Sequence, residues 1–143
     1  MGSISSADAS TGLCSDDEVS IFTCKLEESS KSVSLCQSKS DKKAISYKYG
    51  VPGKVEISLP NEKSGKPYIH YEQFGPSTMQ WLESIVFPVG KITYSVSTPQ
   101  GIAALLHVEG IKNEVHKTCE SGDSGPEITS VYETMEGLGF EKK

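Results

Sequence analysis

The stretch VSIFTCKLEESSKSVSLCQSKSDKKAISYKYGVPGKVEISLP, residues 19–60, decides the fold. Four segments within it, 19–26, 31–37, 44–49 and 54–59, alternate or concentrate β-branched and aromatic residues, and Glu, Ser, Lys, Asp, Pro or Gly turns separate them. In the third and fourth segments Ile45, Tyr47, Tyr49, Val55, Ile57 and Leu59 recur with period two, while Ser46, Lys48, Glu56 and Ser58 take the opposite face. That pattern predicts a meander with one core face and one wet face. Gly50-Val51-Pro52-Gly53 supplies a proline for a fixed φ and a glycine for a positive one, the chemistry of a type II turn.

Working outward, 68–73 resumes the alternation, 81–89 and 91–97 form two more segments joined at Pro88-Val89-Gly90, 101–108 is another apolar run, and a last strand ends near Cys119. The second half therefore repeats the architecture of the first. In the tail the period changes: Ile128, Val131, Tyr132, Met135 and Leu138 share one helical face, with Asp123 or Ser124 as N-cap, Pro126 in the first turn, and Gly137 or Gly139 at the end. The expected fold is all-β and mainly antiparallel. It consists of two consecutive four-stranded meanders, arranged as a sandwich or like half of a propeller, with one short C-terminal helix laid over a sheet.

At 143 residues the chain is long enough for one domain with its own core. Residues 1–13 are small and polar, with nothing to bury, so the domain is expected to span 14–143. The start MGSISSADASTG reads as added residues on a mature leader from which a signal peptide is gone, which points to a periplasmic protein. The four cysteines, Cys14, Cys24, Cys36 and Cys119, contain no CxxC and no Cys/His pair at zinc spacing, so two disulfides and an oxidising compartment are expected. Three pairings are open. A first hairpin closing about Ser30 would set Cys24 opposite Cys36 and leave Cys14 for Cys119, a slight preference, because opposed Cβ atoms sit about 4.5–5.5 Å apart where a bridge prefers about 3.8 Å.

Net charge is −5 and all 14 basic residues are lysine, which argues against nucleic acid. No apolar run is long enough to span a membrane as a helix. Gly122-Asp123-Ser124-Gly125-Pro126 approaches the GDSGGP loop of chymotrypsin-like proteases but lacks a glycine, two barrels and a credible histidine partner, so it is expected to be a capping loop. None of His70, His107 and His116 has a second histidine or a carboxylate at a ligand spacing that a strand or helix would bring together, and Asp16-Asp17-Glu18 lacks the glycine-containing loop of a calcium site. No metal, no cofactor and no catalytic set are therefore expected. Recognition remains. Phe74, Ser77, Thr78, Met79, Gln80 and Trp81 place aromatic anchors beside small polar residues at a turn, and a hydroxyl-rich turn at 95–101 adds Ser97, Thr98 and Gln100.

Phe22-x-Cys24, Val33-Ser34-Leu35-Cys36, Tyr47-x-Tyr49-Gly50 and Gly53-Lys54-Val55-Glu56 together resemble a family of small exported bacterial all-β proteins over about 14–119. Lys48 stands where that pattern carries arginine, and 74–80 replaces its glycine-rich stretch. In size and cysteine use the chain is similar to periplasmic inhibitors of cell-wall hydrolases, such as lysozyme inhibitors and immunity proteins against type VI secreted amidases. The resemblance implies a non-enzymatic inhibitor, monomeric or weakly dimeric, whose partner is a secreted peptidoglycan hydrolase plugged by a loop. An exported ligand-binding or envelope-assembly module is the alternative, and a small hydrolase a more distant one.

Overall fold

A computed structural model of the protein describes residues 12–73, 81–99, 104–119 and 128–143. Nine strands and one helix follow in order: β1 (Glu18–Lys25), β2 (Ser32–Ser38), β3 (Ile45–Val51), β4 (Lys54–Leu59), β5 (Tyr68–Gln73), β6 (Trp81–Val89), β7 (Ile92–Pro99), β8 (Leu105–Glu109), β9 (Val115–Thr118) and α1 (Ile128–Gly137). Both sheets are antiparallel meanders, β1-β2-β3-β4 and β5-β6-β7-β8-β9. The second sheet thus has one strand more than the four expected.

Alternation puts one face of each sheet into a shared core, so the two meanders stack as a sandwich. Leu35, Ile45 and Tyr47 from the first sheet meet Ile69, Ile85, Phe87, Val96 and Leu106 from the second. Tyr47 of β3 lies at the centre, 1% exposed, with its ring 5.5 Å from Phe87 and 5.7 Å from Tyr94 across the layer. Tilted rings at that separation gain quadrupolar attraction beyond the area they bury. Burial raises the Tyr47 phenol above its ordinary value.

Helix α1 contributes Val131, Tyr132 and Met135 to the core, as its period requires, and packs on β1, β5, β6 and β7. It therefore touches both sheets. Its end is closed by Gly139 N–H to Glu136 O at 3.0 Å and Phe140 N–H to Met135 O at 3.1 Å, the paired bonds of a Schellman motif. The residues expected to cap its start, 123–126, lie outside the described residues. Beyond it, Ile69 N–H donates to Glu141 O and Lys143 N–H to Ile69 O, so this segment covers the free edge of β5.

The disulfides correct the preferred pairing: they join Cys14 to Cys36 and Cys24 to Cys119, with Cα atoms 5.6 and 5.4 Å apart. The first hairpin closes with Lys25 opposite Ser32, not about Ser30, so Cys24 faces Val33. A bulge between Ser20 and Phe22 then sets Cys36 opposite Ser20. Cys24 consequently belongs to the core with Val33, whereas Cys36 and Ser34 occupy the outer face of the sheet.

That outer face is not wet across β2. Ser34 and Cys36 are fully buried because residues 12–17 cross above them. Leu13, expected to have nothing to bury, is 6% exposed and donates its N–H to Ser34 Oγ at 3.0 Å. Gly12 lets the arm lie this close, since a Cβ there would fall 2.2 Å from Ser34 Oγ, and its φ of +57° suits glycine. A second departure is Val55, expected in the core but 42% exposed on the edge strand, where the ladder shifts at Gly50.

Glu18 fastens the arm to the sheet. Its carboxylate accepts hydrogen bonds from Lys48 Nζ at 2.6 Å, Ser15 N–H and Ser15 Oγ at 2.9 Å, and Ser46 Oγ at 3.2 Å. Burial raises the Glu18 pKa, but the bonds from Lys48 and Ser15 outweigh it and hold the carboxyl below its ordinary 4.5. The folded chain therefore binds this proton less readily than the unfolded chain, and the stabilisation is complete above that value and lost as pH falls through the folded one. Lys48→Met is expected to cost about 1–3 kcal/mol at neutral pH, with the gap to wild type narrowing below the ordinary carboxylate value of 4.5. Urea titrations across pH measure both, and a gap independent of pH would contradict the assignment.

Candidate functional site on the outer face of the five-stranded sheet

The ladder of the second sheet aligns polar side chains in rows across its outer face. One row runs Tyr68, Val86, Ser95, His107, His116, one residue from each of the five strands. The next contains His70, Ser84, Ser97 and Leu105. All three histidines of the chain stand on this face. Between the flanking strands lies a groove of about 300 Å³, lined by Tyr68 and His70 on one side, His107 and Glu109 on the other, and Ser84, Val86, Thr93, Ser95 and Ser97 along the floor.

The floor is dry enough for its hydroxyls to need partners. Ser84, Ser95 and Ser97 are at most 6% exposed, and Ser84 Oγ and Ser97 Oγ bond each other at 2.9 Å. On the walls, His70 Nδ1 lies 3.0 Å from Lys143 O, and the Lys143 ammonium sits 4.8 Å from the centre of the Tyr68 ring.

The opposite wall holds a feature that residue-by-residue spacing missed. His107 Nδ1 and His116 Nδ1 are 2.8 Å apart, with rings 5.1 Å apart and nearly perpendicular. Glu109 is the last residue of β8, and Glu114 immediately precedes β9. Carboxylate oxygens of both and a ring nitrogen of His116 fall within 4.8 Å of one another. Burial first, and His116 second, lower the His107 pKa against the opposing pull of Glu109, so His107 is neutral at neutral pH. The signal in the sequence is mirror order: H-x-E at 107–109, a turn, then E-x-H at 114–116. Period two puts each pair on one face, and the hairpin then brings the pairs together. This corrects the expectation that no histidine has a second histidine or a carboxylate at a ligand spacing.

The turn carrying this cluster is tightly seated. Gly110, at φ +90°, passes so close to Lys91 that a Cβ would meet its carbonyl oxygen at 2.2 Å, and Gly110 N–H donates to Glu114 Oε2 at 3.1 Å. The other acidic group near cysteines, Glu18 with Cys14 and Cys36, has its two sulfurs committed to a disulfide.

Of the expected partner-binding residues, Phe74, Ser77, Thr78, Met79, Gln80 and Gln100 lie outside the described residues. Trp81 is placed opposite Gln73, and Thr98 opposite Glu83, as strand positions. The expected turn at 95–101 is corrected over its first part, because β7 continues to Pro99. Ser97 is thereby part of the groove floor, its hydroxyl turned to Ser84 and not to a loop tip.

The described strand ends that flank 74–80 and 100–103 lie close to one another. Gln73 pairs with Trp81, Leu82 with Pro99, and Ser97 with Leu105, so 74–80 and 100–103 both connect strands at one end of the five-stranded sheet. Cys119, which follows β9 and whose N–H donates to Ala104 O, sits at that same end with its bridge to Cys24. Comparisons of the chain with family models, characterised proteins and solved structures find no match.

Ser84→Ala is expected to cost about 1–3 kcal/mol, because it removes the partner of a buried hydroxyl. The double change Ser84→Ala with Ser97→Ala should cost less than twice the single change. Chemical denaturation of the four-member cycle measures the coupling, and strict additivity would show that the two hydroxyls do not depend on each other.

Proposed function

We propose that the protein is a non-enzymatic, exported binding protein that inhibits a secreted peptidoglycan hydrolase, with segments 74–80 and 100–103 as the parts that enter the hydrolase cleft. The observation that carries this reading is the shared anchoring of both segments at one end of the five-stranded sheet, described above from the pairs Gln73 with Trp81 and Leu82 with Pro99. The flanking residues of both segments belong to neighbouring strands of one sheet. Strands that fix the ends of a loop also lower the ordering cost of binding, which is how small contact areas reach high affinity. The two disulfides support export to an oxidising compartment, and the periplasm is the compartment proposed.

The groove favours binding over catalysis in its chemistry. Ser84 and Ser97 spend their hydroxyls on each other, His107 faces His116, and His70 faces Lys143 O. Neither serine is thereby joined to a histidine as a nucleophile is to its base. The same groove favours one second reading, an exported module that holds a small polar ligand against Tyr68, His70 and His107.

Affinity capture from secreted and periplasmic fractions tests the proposal. Wild-type protein is expected to retain a peptidoglycan hydrolase and suppress its activity on purified cell walls. The triple change Ser77→Ala, Met79→Ala, Gln100→Ala should weaken the inhibition at least tenfold with folding intact. Recovery of no hydrolase, or inhibition unchanged in the triple variant, would contradict the reading. A small molecule retained through purification would favour the second one.

A further inference from the structure

We propose that the mirrored pairs His107-x-Glu109 and Glu114-x-His116 form a binding site for a divalent transition-metal ion of the zinc, nickel or copper class. Glu109, Glu114 and His116 are its ligands, and His107 is the residue that orients His116. The site lies on the rim of the groove, away from the segments that the proposed inhibitor reading employs.

Geometry supplies the first argument. One ligand atom from each of Glu109, Glu114 and His116 lies within 4.8 Å of the other two, and His116 Nε2 stands 3.9 Å from Glu114 Oε1. An ion bonded at about 2.0–2.2 Å to nitrogen and oxygen can reach all three with small side-chain rotations. Glu109 ends β8, Glu114 precedes β9 and His116 lies within it, so all three belong to one hairpin, and Gly110 holds its turn against Lys91.

Tautomer chemistry supplies the second. Two Nδ1 atoms 2.8 Å apart require one ring to donate and the other to accept. With His107 accepting, His116 carries its proton on Nδ1 and presents a bare lone pair at Nε2, the atom that faces Glu114. Ligating histidines commonly have their second ring nitrogen fixed by such a partner, and loss of the partner weakens metal binding by about 10–100-fold.

Charge supplies the third. Two carboxylates this close repel, and the Gly110 N–H offers one hydrogen bond to Glu114. A divalent cation neutralises the pair. An imidazole in the set favours transition metals over calcium or magnesium, which prefer oxygen ligands alone. Three protein ligands leave coordination open toward solvent and the groove, of which His107 and Glu109 are also lining residues.

Titration calorimetry with zinc chloride on the disulfide-intact, chelator-treated protein tests the site. One zinc per chain is expected, with a rise in Tm that grows with zinc concentration. His116→Ala and the double change Glu109→Gln with Glu114→Gln should each weaken binding more than tenfold, His107→Ala should weaken it about 10–100-fold, and His70→Ala should leave it unchanged. Circular dichroism confirms that each variant is folded. Undiminished zinc binding in folded His116→Ala, no zinc binding by the wild type, or equal response to calcium would each overturn the proposal.

Discussion

The bridge between Cys24 and Cys119 is the constraint on which the rest of the structure depends. Among the described residues the two sheets share no strand ladder, only the isolated bridge of Leu26 with Cys119. Side-chain packing around Tyr47 draws them together, but packing alone does not fix which edges meet. The bridge does so by joining the edge strand β1 to the residue that follows β9, and Glu27 N–H to Thr118 O at 2.9 Å continues the contact in backbone. It closes a loop of 95 residues in sequence separation, for which loop-closure entropy corresponds to about 4.7 kcal/mol. A contribution of that size is a large share of the net stability of a small domain.

From that junction the two sheets diverge in what their outer faces do. The outer face of the first is partly closed by residues 12–17, pinned by the Cys14–Cys36 bridge and by the Glu18 hydrogen bonds to Ser15, Ser46 and Lys48. Its hydroxyls at Ser20, Thr23 and Ser34 are spent on one another. The outer face of the second sheet stays open as the groove, with His70, His107 and Glu109 along its walls. This asymmetry leaves the open polar face of the described residues on the five-stranded sheet.

Local chemistry made most of the fold legible from sequence. Alternation, β-branched enrichment and apolar runs marked the strands, Pro52-Gly53 marked the β3–β4 turn, and the spacing of Val131, Tyr132 and Met135 marked the buried face of the helix. What was not legible depended on register. The disulfide pairing turned on a hairpin centre displaced from Ser30 and on the bulge between Ser20 and Phe22, each of which moves Cys24 relative to Cys36. Ser97 left the expected loop because β7 runs to Pro99, a length set by its pairing with β6. The histidine pair was hidden for the same reason. No single strand contains both rings, and only the mirror order of 107–109 and 114–116 announces that a hairpin will bring them together.

The central claim is that the Cys24–Cys119 bridge stiffens the end of the sandwich where β5 and β7 end and β6 and β8 begin. Native-state hydrogen exchange on the wild type and on the Cys24→Ala, Cys119→Ala double variant tests it most directly. The amides of Leu26, Glu27 and residue 119 bond to Lys31 O, Thr118 O and Ala104 O at that end, whereas Gly65 N–H to Pro88 O marks the opposite one. The account predicts that the double variant loses protection first and most at the bridged end, while protection near Gly65 and along β6–β7 falls only with global stability. Equal loss of protection at both ends, or full protection at Glu27 without the bridge, would contradict it.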